Sequence, residues 1–190
     1  MSELHFDEAT HTYRYRGDVV PNVTRVLSGL TDYSQIPPDT LEVARQKGVA
    51  VHKMVELHAK GDLDEETLPE WMRPVFARWL AFLSDTGFQV LQSEQRVYSK
   101  EYRYAGTLDL FGLIRGKETL IDLKRSLMGG RVIGLQLAAY AHALAAVPVQ
   151  RYALRLNEAG PYRLEPYTDP NDFRDFLTCL AHYRLKEKLA

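Results

Sequence analysis

Cysteine is nearly missing from this 190-residue sequence, in which Cys179 is the single example. One thiol excludes an internal disulfide, a cysteine-rich zinc site and a cysteine-ligated iron–sulfur cluster. No apolar run approaches membrane length, and the opening stretch MSELHFDEATH lacks the apolar core of a signal peptide. We therefore expect a soluble, cytoplasmic protein without a membrane span.

The sequence also lacks an excess of charge of either sign. Its 24 Lys and Arg residues face 25 Asp and Glu residues, which leaves a formal net charge of −1. Bulk charge therefore does not indicate a nucleic-acid partner, and a DNA site would need a local basic surface. The chain is 45% hydrophobic, enough for one sizeable domain.

Hydrophobic periodicity, caps and turn residues predict an order of helices, three strands, a helix, strands and a helix. We expect a hairpin over 11–20, helices over 21–29, 38–60, 70–84, 131–146 and 170–188, and strands over 88–98, 103–115, 118–125, 149–156 and 162–167. This order predicts an α/β fold with a central mixed sheet flanked by helices. We expect a single domain over 1–190, with an N-terminal hairpin and helices in 1–86 and the sheet core with its flanking helices in 87–190.

Three charged residues interrupt the apolar strands of the stretch GTLDLFGLIRGKETLIDLKRS: Asp109, Asp122 and Lys124. A turn at Gly116-Lys117 would place Asp109 opposite Lys124, whereas a turn at Arg115-Gly116 would place it opposite Asp122. Both registers put all three side chains on one face of the sheet. Either register therefore concentrates two carboxylates and an ammonium at one place.

Two acids and one base do not balance, so a cation is missing from this group. Close carboxylates in a partly buried site share a proton or bind a metal, and Mg²⁺ prefers oxygen ligands. A neighbouring lysine can stabilise an anionic transition state. The alternative is an ordinary solvated strand face carrying a cross-strand Asp–Lys pair, and the spacing alone leaves it open.

Asp109 followed by Asp122-Leu123-Lys124 resembles the PD-(D/E)xK nuclease motif, although the proline of that name is absent before Asp109. The surroundings are similar to the RecB-type, phage-exonuclease-like branch of this superfamily. Four stretches carry that similarity: GVAVH with Gly48 and His52, GTLD, QLAAY with Gln136 and Tyr140, and PNVTRVL near the N-terminus. The cysteines of the iron–sulfur members are missing.

The resemblance implies a restriction-endonuclease-like core and a deoxyribonuclease dependent on Mg²⁺ or Mn²⁺. An exonuclease in recombination, repair or phage DNA processing is the expected form. The implied catalytic residues are Glu94, Asp109, Asp122 and Lys124, the implied metal ligands are His52, Asp109, Asp122 and the Leu123 carbonyl, and the implied substrate contacts are Gln136, Tyr140, Arg125 and Arg131. Further cations that could contact phosphate are Arg45, Lys47, Lys53, Lys100 and Arg103.

Each of these residues also has a purely structural interpretation. His52 lies at the edge of the apolar stripe that Leu41, Ala44, Gly48, Val51, Val55 and Ala59 are predicted to form along one helix, where Gly48 would admit a close neighbour. Glu94 could be a solvated strand charge, Gln136 a surface amide and Tyr140 an aromatic at the edge of the core.

Two rival functions also stay open at this point. One is a catalytically silent DNA-binding or assembly subunit, and the other is an RNase or a structure-specific nuclease. DNA is the expected partner, and neither a homo-oligomer nor a partner protein in recombination or repair is excluded.

Overall fold

The computed structural model describes residues 3–125, 130–146 and 148–189. Its helices are α1 (Val23–Leu27), α2 (Pro38–Lys60), α3 (Arg73–Thr86), α4 (Gly130–Ala143) and α5 (Asp172–Leu189). Its strands are β1 (Leu4–Asp7), β2 (Thr12–Tyr15), β3 (Asp18–Val20), β4 (Gln89–Ser99), β5 (Tyr104–Ile114), β6 (Lys117–Lys124), β7 (Gln150–Arg155) and β8 (Arg163–Pro166). Short 3₁₀ turns lie at Ser28–Leu30, Glu65–Thr67 and Glu70–Met72.

The central sheet has five strands in the order β4-β5-β6-β7-β8. Strands β6 and β7 pair in parallel, with α4 between them in the chain, and the other neighbours are antiparallel. The predicted α/β class, with a mixed sheet flanked by helices, is therefore confirmed. The architecture is consistent with the restriction-endonuclease-like core that the resemblance implies.

Helices cover both faces of this sheet. Leu120 and Ile121 are adjacent on β6 and point to opposite faces, where each joins a different apolar core. The Leu120 core receives side chains from α1, α4 and α5, and the Ile121 core receives them from α2 and α3. Trp79 on α3 is completely buried in the second core and donates its indole N–H to His58 Nδ1 at 3.0 Å.

The N-terminal hairpin is part of a separate three-stranded antiparallel sheet, because its strand β2 pairs with β1 on one side and with β3 on the other. The turn uses Arg16 and Gly17, both with positive φ, so Asp18 begins β3. Asn22 caps α1 by accepting hydrogen bonds from Thr24 N and Arg25 N. Among the described residues no helix is long and apolar enough to span a membrane.

The predicted bounds of α2 are confirmed, and Gly61 ends the helix in the left-handed conformation. The predicted apolar stripe is wrong for its first half, where Leu41 is exposed, because burial begins only at Val51. The close approach expected at Gly48 is also not seen, since no described atom of another element lies within 4 Å of the position a Cβ would take. Helix α3 starts at Arg73 because the 3₁₀ turn precedes it, and α4 ends at Ala143.

Candidate metal and nucleic-acid site

The site begins where β5 and β6 separate. The turn uses Arg115 and Gly116, whose φ values of 51° and 76° select the second of the two predicted registers. Continued inward, that register would place Asp109 opposite Asp122, but the described pairing ends one step earlier, at Leu110 and Ile121. The backbone N–H of Leu123 instead donates to Asp109 Oδ2 at 2.6 Å. A side-chain carboxylate thus replaces a backbone acceptor, and the two strands separate here. We call this place, which contains Asp109, Asp122, Leu123 and Lys124, the fork.

Asp122 and Lys124 form an ion pair on β6. The ammonium lies 2.9 Å from Oδ2 and donates to Oδ1 at 3.2 Å, and Asp122 is 2% exposed. Burial raises the pKa of the Asp122 carboxyl, Lys124 lowers it and Asp109 raises it again, with a net value of about 6. Burial lowers the pKa of Lys124, but Asp122 and Asp109 more than reverse this effect, so the ammonium keeps its proton.

His52 reaches the fork from α2 and contacts two acids and a backbone carbonyl. Its Nδ1 lies 3.3 Å from Glu94 Oε1 and 3.5 Å from Asp109 Oδ1, and its Nε2 lies 3.2 Å from the Leu123 oxygen. Burial lowers the pKa of this imidazole, but Asp109, Glu94 and Asp122 together raise it to about 9. The same burial raises the pKa of Asp109 against the opposing charges of His52 and Lys124.

Glu94 has an unusual backbone conformation for a residue within a strand. Its φ is 50°, whereas Ser93 and Gln95 on either side keep their pairing with β5. A non-glycine residue in this left-handed region costs about 1 kcal/mol or more and is often found at functional sites. The described contact of this side chain is the one with His52.

These residues fit a hard divalent cation. Ligand atoms of His52, Glu94 and Asp109 lie within 4.8 Å of one another. Asp122 Oδ2 is buried and accepts no hydrogen bond from a described residue, because the nearby Lys124 ammonium lies outside hydrogen-bonding geometry. Three carboxylates therefore face one ammonium and one imidazole, and Mg²⁺ and Mn²⁺ favour such oxygen-rich sites.

Gln136 and Tyr140 are buried on α4, one turn apart, and Gln136 Nε2 donates to the Tyr140 hydroxyl at 3.4 Å. The Tyr140 ring packs against Gly106, where an added Cβ would lie 2.6 Å from a ring carbon. The glycine of GTLD therefore makes room for this tyrosine beside the Asp109 strand. Burial raises the pKa of Tyr140, and the negative charges of Asp109 and Asp122 raise it further. A surface amide is the wrong description of Gln136.

The two predicted arginines lie in different surroundings. Arg125 directly follows Lys124 and donates to Glu158 Oε1 at 2.7 Å. Arg131 is 63% exposed and pairs with Asp169 and Asp175 at 3.2 and 2.6 Å. Its described ion pairs are thus with the C-terminal segment and not with residues of the fork.

Sequence reasoning missed Trp71 and Glu158, which lie beside the site. Lys47 Nζ and the Arg125 guanidinium lie over the Trp71 ring, 4.9 and 5.6 Å from its centroid. Lys47 also donates to the same Glu158 oxygen at 2.7 Å. No local pattern connects positions 71 and 158 with the strand motif, so only the tertiary structure could find them. Of the other cations suggested from the sequence, three are in exposed ion pairs: Arg45, Lys53 and Arg103.

No family model matches the chain, and no curated protein matches it. Among solved structures, SSO0001 aligns at 15% identity and a TM-score of 0.37, covering 61% of this chain and 57% of that chain. An alkaline exonuclease from Laribacter hongkongensis aligns at 13% identity and a TM-score of 0.37, covering 89% of this chain and 94% of that one. At such scores the function has to be argued from the site itself.

Proposed function

We propose that this protein is a nuclease dependent on Mg²⁺ or Mn²⁺ that hydrolyses DNA phosphodiester bonds. The observation that carries the proposal is the buried fork, where the Asp122–Lys124 ion pair lies beside Asp109 and its Leu123 N–H bond. The acids of this arrangement outnumber its cationic groups, so a divalent cation would balance their charge and could in turn bind a phosphodiester anion. The proposed cation ligands are His52, Glu94, Asp109, Asp122 and the Leu123 carbonyl.

The cation, when bound, supplies positive charge that stabilises the negative charge developing on a phosphate under attack. Lys124 adds a second positive charge at a defined place, because Asp122 holds its ammonium and keeps it protonated. Asp109 is fixed by the Leu123 N–H, so its second oxygen remains directed towards His52. Tyr140 and Gln136 support the strand from α4.

We further propose an exonuclease of the RecB-like type acting in recombination, repair or phage DNA processing. This finer assignment depends on the motif resemblance. The single-domain organisation over 1–190 is likewise a proposal. A silent DNA-binding subunit of the same fold is the rival function, and the complete set of acids and lysine argues against it.

The test is digestion of end-labelled linear DNA and of covalently closed DNA, with Mg²⁺ and with chelator. Linear DNA should be degraded with Mg²⁺ and closed DNA spared, and chelator should stop the reaction. Asp122→Asn and Lys124→Ala should each lower the rate by at least ~100-fold, because both groups act on the transition state. Wild-type rates in both variants would contradict the proposed site, and cleavage of RNA alone would change the substrate class.

Metal binding can be tested without activity. A ligand that binds only the folded state raises the melting temperature by mass action. Millimolar Mn²⁺ should stabilise the wild type by several degrees and Asp109→Asn much less. Arg131→Gln is a suitable control, since its described ion pairs lie away from the fork, and it should respond like the wild type. Equal shifts in wild type and Asp109→Asn would contradict the shared site.

A further inference from the structure

Four residues beside the fork form a compact group that we call the Trp71 cluster: Lys47, Trp71, Arg125 and Glu158. Both cations donate to one oxygen, Glu158 Oε1, each at 2.7 Å. Both also lie over the indole ring of Trp71, which is half-buried against the α2–α3 core. Cation–π contacts with this partly buried ring therefore keep the two cations close to each other.

The Trp71 cluster carries more positive charge than its own acid neutralises. Two cations share a single carboxylate oxygen, and Arg125 Nε is buried with no hydrogen-bond partner among the described residues. A phosphate group presents several oxygens at once, so it matches the planar set of guanidinium N–H donors better than one shared carboxylate oxygen does. Within the described part of the chain, the cluster thus leaves one donor without a partner, and its charge pattern suits phosphate.

Glu158 is the part of the cluster that can leave most easily. It is 38% exposed in the segment between β7 and β8, whereas Arg125 is 20% exposed and is fixed over Trp71. Ion pairs at exposed carboxylates contribute only about 0–1 kcal/mol, so replacing Glu158 by another anion costs little. The cations would stay in position while the anion changes.

The cluster adjoins the proposed cleavage site through two elements. Arg125 follows Lys124 directly, and Lys47 lies on α2, the helix that carries His52. Leu156 N donates to the Lys124 oxygen at 3.1 Å, which ties the start of the Glu158 segment to the same strand end. The cluster and the fork therefore share the end of β6 and helix α2.

We infer that the Trp71 cluster binds an internal backbone phosphate of the nucleic-acid strand, which replaces the Glu158 carboxylate. This inference rests on the proposed nuclease function and names a further substrate subsite for it. Glu158 acts as an internal competitor that occupies the two cations until a strand displaces it. Removing its charge should therefore strengthen binding, whereas removing either cation should weaken it.

The test is fluorescence anisotropy with a short labelled single strand in chelator, so that binding is measured without cleavage. Glu158→Gln should bind ~3- to 10-fold more tightly than wild type, and Lys47→Ala and Arg125→Gln ~3- to 10-fold more weakly, as expected for single phosphate contacts. The logarithmic salt slope should increase by up to ~1 in Glu158→Gln.

Glu3→Gln is the matched control, because Glu3 pairs with the exposed Arg16, which is not among the cations suggested for phosphate, and carries the same charge. It removes one negative charge without freeing the Trp71 cluster, so its affinity should stay within about twofold of wild type. Melting curves should show that each variant is folded, and Arg125→Lys keeps the charge if the glutamine variant is unfolded. Equal affinities of Glu158→Gln and Glu3→Gln would overturn the inference.

A circular single strand without ends serves as the second probe. The gain in Glu158→Gln should persist with it, since an internal phosphate is the ligand, and a gain limited to 5′-phosphorylated linear strands would overturn the inference. The failures are distinguishable. A wild type that binds as described but cleaves no nucleic acid contradicts the nuclease function alone, whereas cleavage without any Glu158→Gln effect contradicts the subsite alone.

Discussion

His52 carries charge in a place where most histidines would be neutral. Its neighbours Asp109, Glu94 and Asp122 outweigh the effect of burial and raise its pKa to about 9, above the value near 6.5 of an unfolded chain. The protonated ring therefore pairs with the acids of the fork in the absence of a divalent cation. A metal that ligates this ring has to displace that proton.

The raised pKa makes the stability of the metal-free protein depend on pH. Because the folded state holds the proton more tightly, the His52 contribution is complete below about pH 6.5 and is lost as pH rises through about 9. In chelator, wild type should exceed His52→Gln in unfolding free energy by about 1–2 kcal/mol at pH 6.5 and by almost nothing at pH 10. Urea unfolding across this range checks it. A difference that stays constant up to pH 10 would show that the ring contributes only packing.

Two glycines should respond oppositely to alanine. At Gly106 the new methyl group would lie 2.6 Å from the buried Tyr140 ring, so Gly106→Ala should destabilise the protein by about 1–3 kcal/mol. At Gly48, inside α2, no described atom lies in the way, and Gly48→Ala should stabilise by about 0.5–1 kcal/mol. Thermal melting measures both. If Gly48→Ala instead destabilised the protein, this would indicate a close neighbour at Gly48, as the sequence suggested.

At the scale of elements, α2 differs between its two halves. The buried residues of this helix are Val51, Met54 and Val55, whereas Leu41, Val43 and Val49 are exposed. The second half is therefore held by packing, and it is this half that carries His52. The first half depends on its own hydrogen bonds and on the Pro38 start.

Hydrogen exchange should reveal this difference along α2. Amides of residues 42–48 should exchange at least ~10-fold faster than those of 52–58, because little apolar burial opposes opening of the first half. Mass spectrometry on peptides from each half gives the comparison. Divalent cation should slow exchange around His52 much more than in the first half. Equal protection along the helix would mean that the first half is covered in solution.

At the scale of the whole molecule, the central sheet joins two cores. Leu120 and Ile121, adjacent on β6, belong to different cores, so neither core can be lost without exposing the same strand. The acidic and basic residues nearly cancel over the chain, and the basic group at the Trp71 cluster is local. Binding to nucleic acid should accordingly depend on a few contacts and not on bulk attraction.

Shared strands predict that the protein unfolds as one unit. Trp71 and Trp79 both report on the α2–α3 side, whereas far-ultraviolet circular dichroism reports on all elements. In urea the two signals should give coincident transitions, as expected for a single cooperative domain. An earlier fluorescence transition would indicate that residues 1–86 unfold separately and would contradict the single-domain proposal.

Much of the fold was predictable because local rules act within single elements. Pro38 and Gly61 bound α2 as the sequence indicates, and Asn22 caps α1. The alternation in β5 and β6 likewise places Asp109, Asp122 and Lys124 close together in either register. The sequence does not predict strand β1, and it predicts an apolar face over the whole of α2, whereas burial begins only at Val51. Both features depend on neighbouring elements, which sequence periodicity does not describe.

The sequence by itself determined the order of elements, the mixed sheet and the grouping of two acids and a lysine on neighbouring strands, since these follow from periods, caps and turns of short range. The tertiary structure alone decided which strand register is used, that Asp109 accepts from Leu123 N, and that His52 and Glu94 meet beside it. It also brought Trp71 and Glu158 to Lys47 and Arg125. Such contacts join distant parts of the chain, and their geometry depends on how helices pack across the sheet.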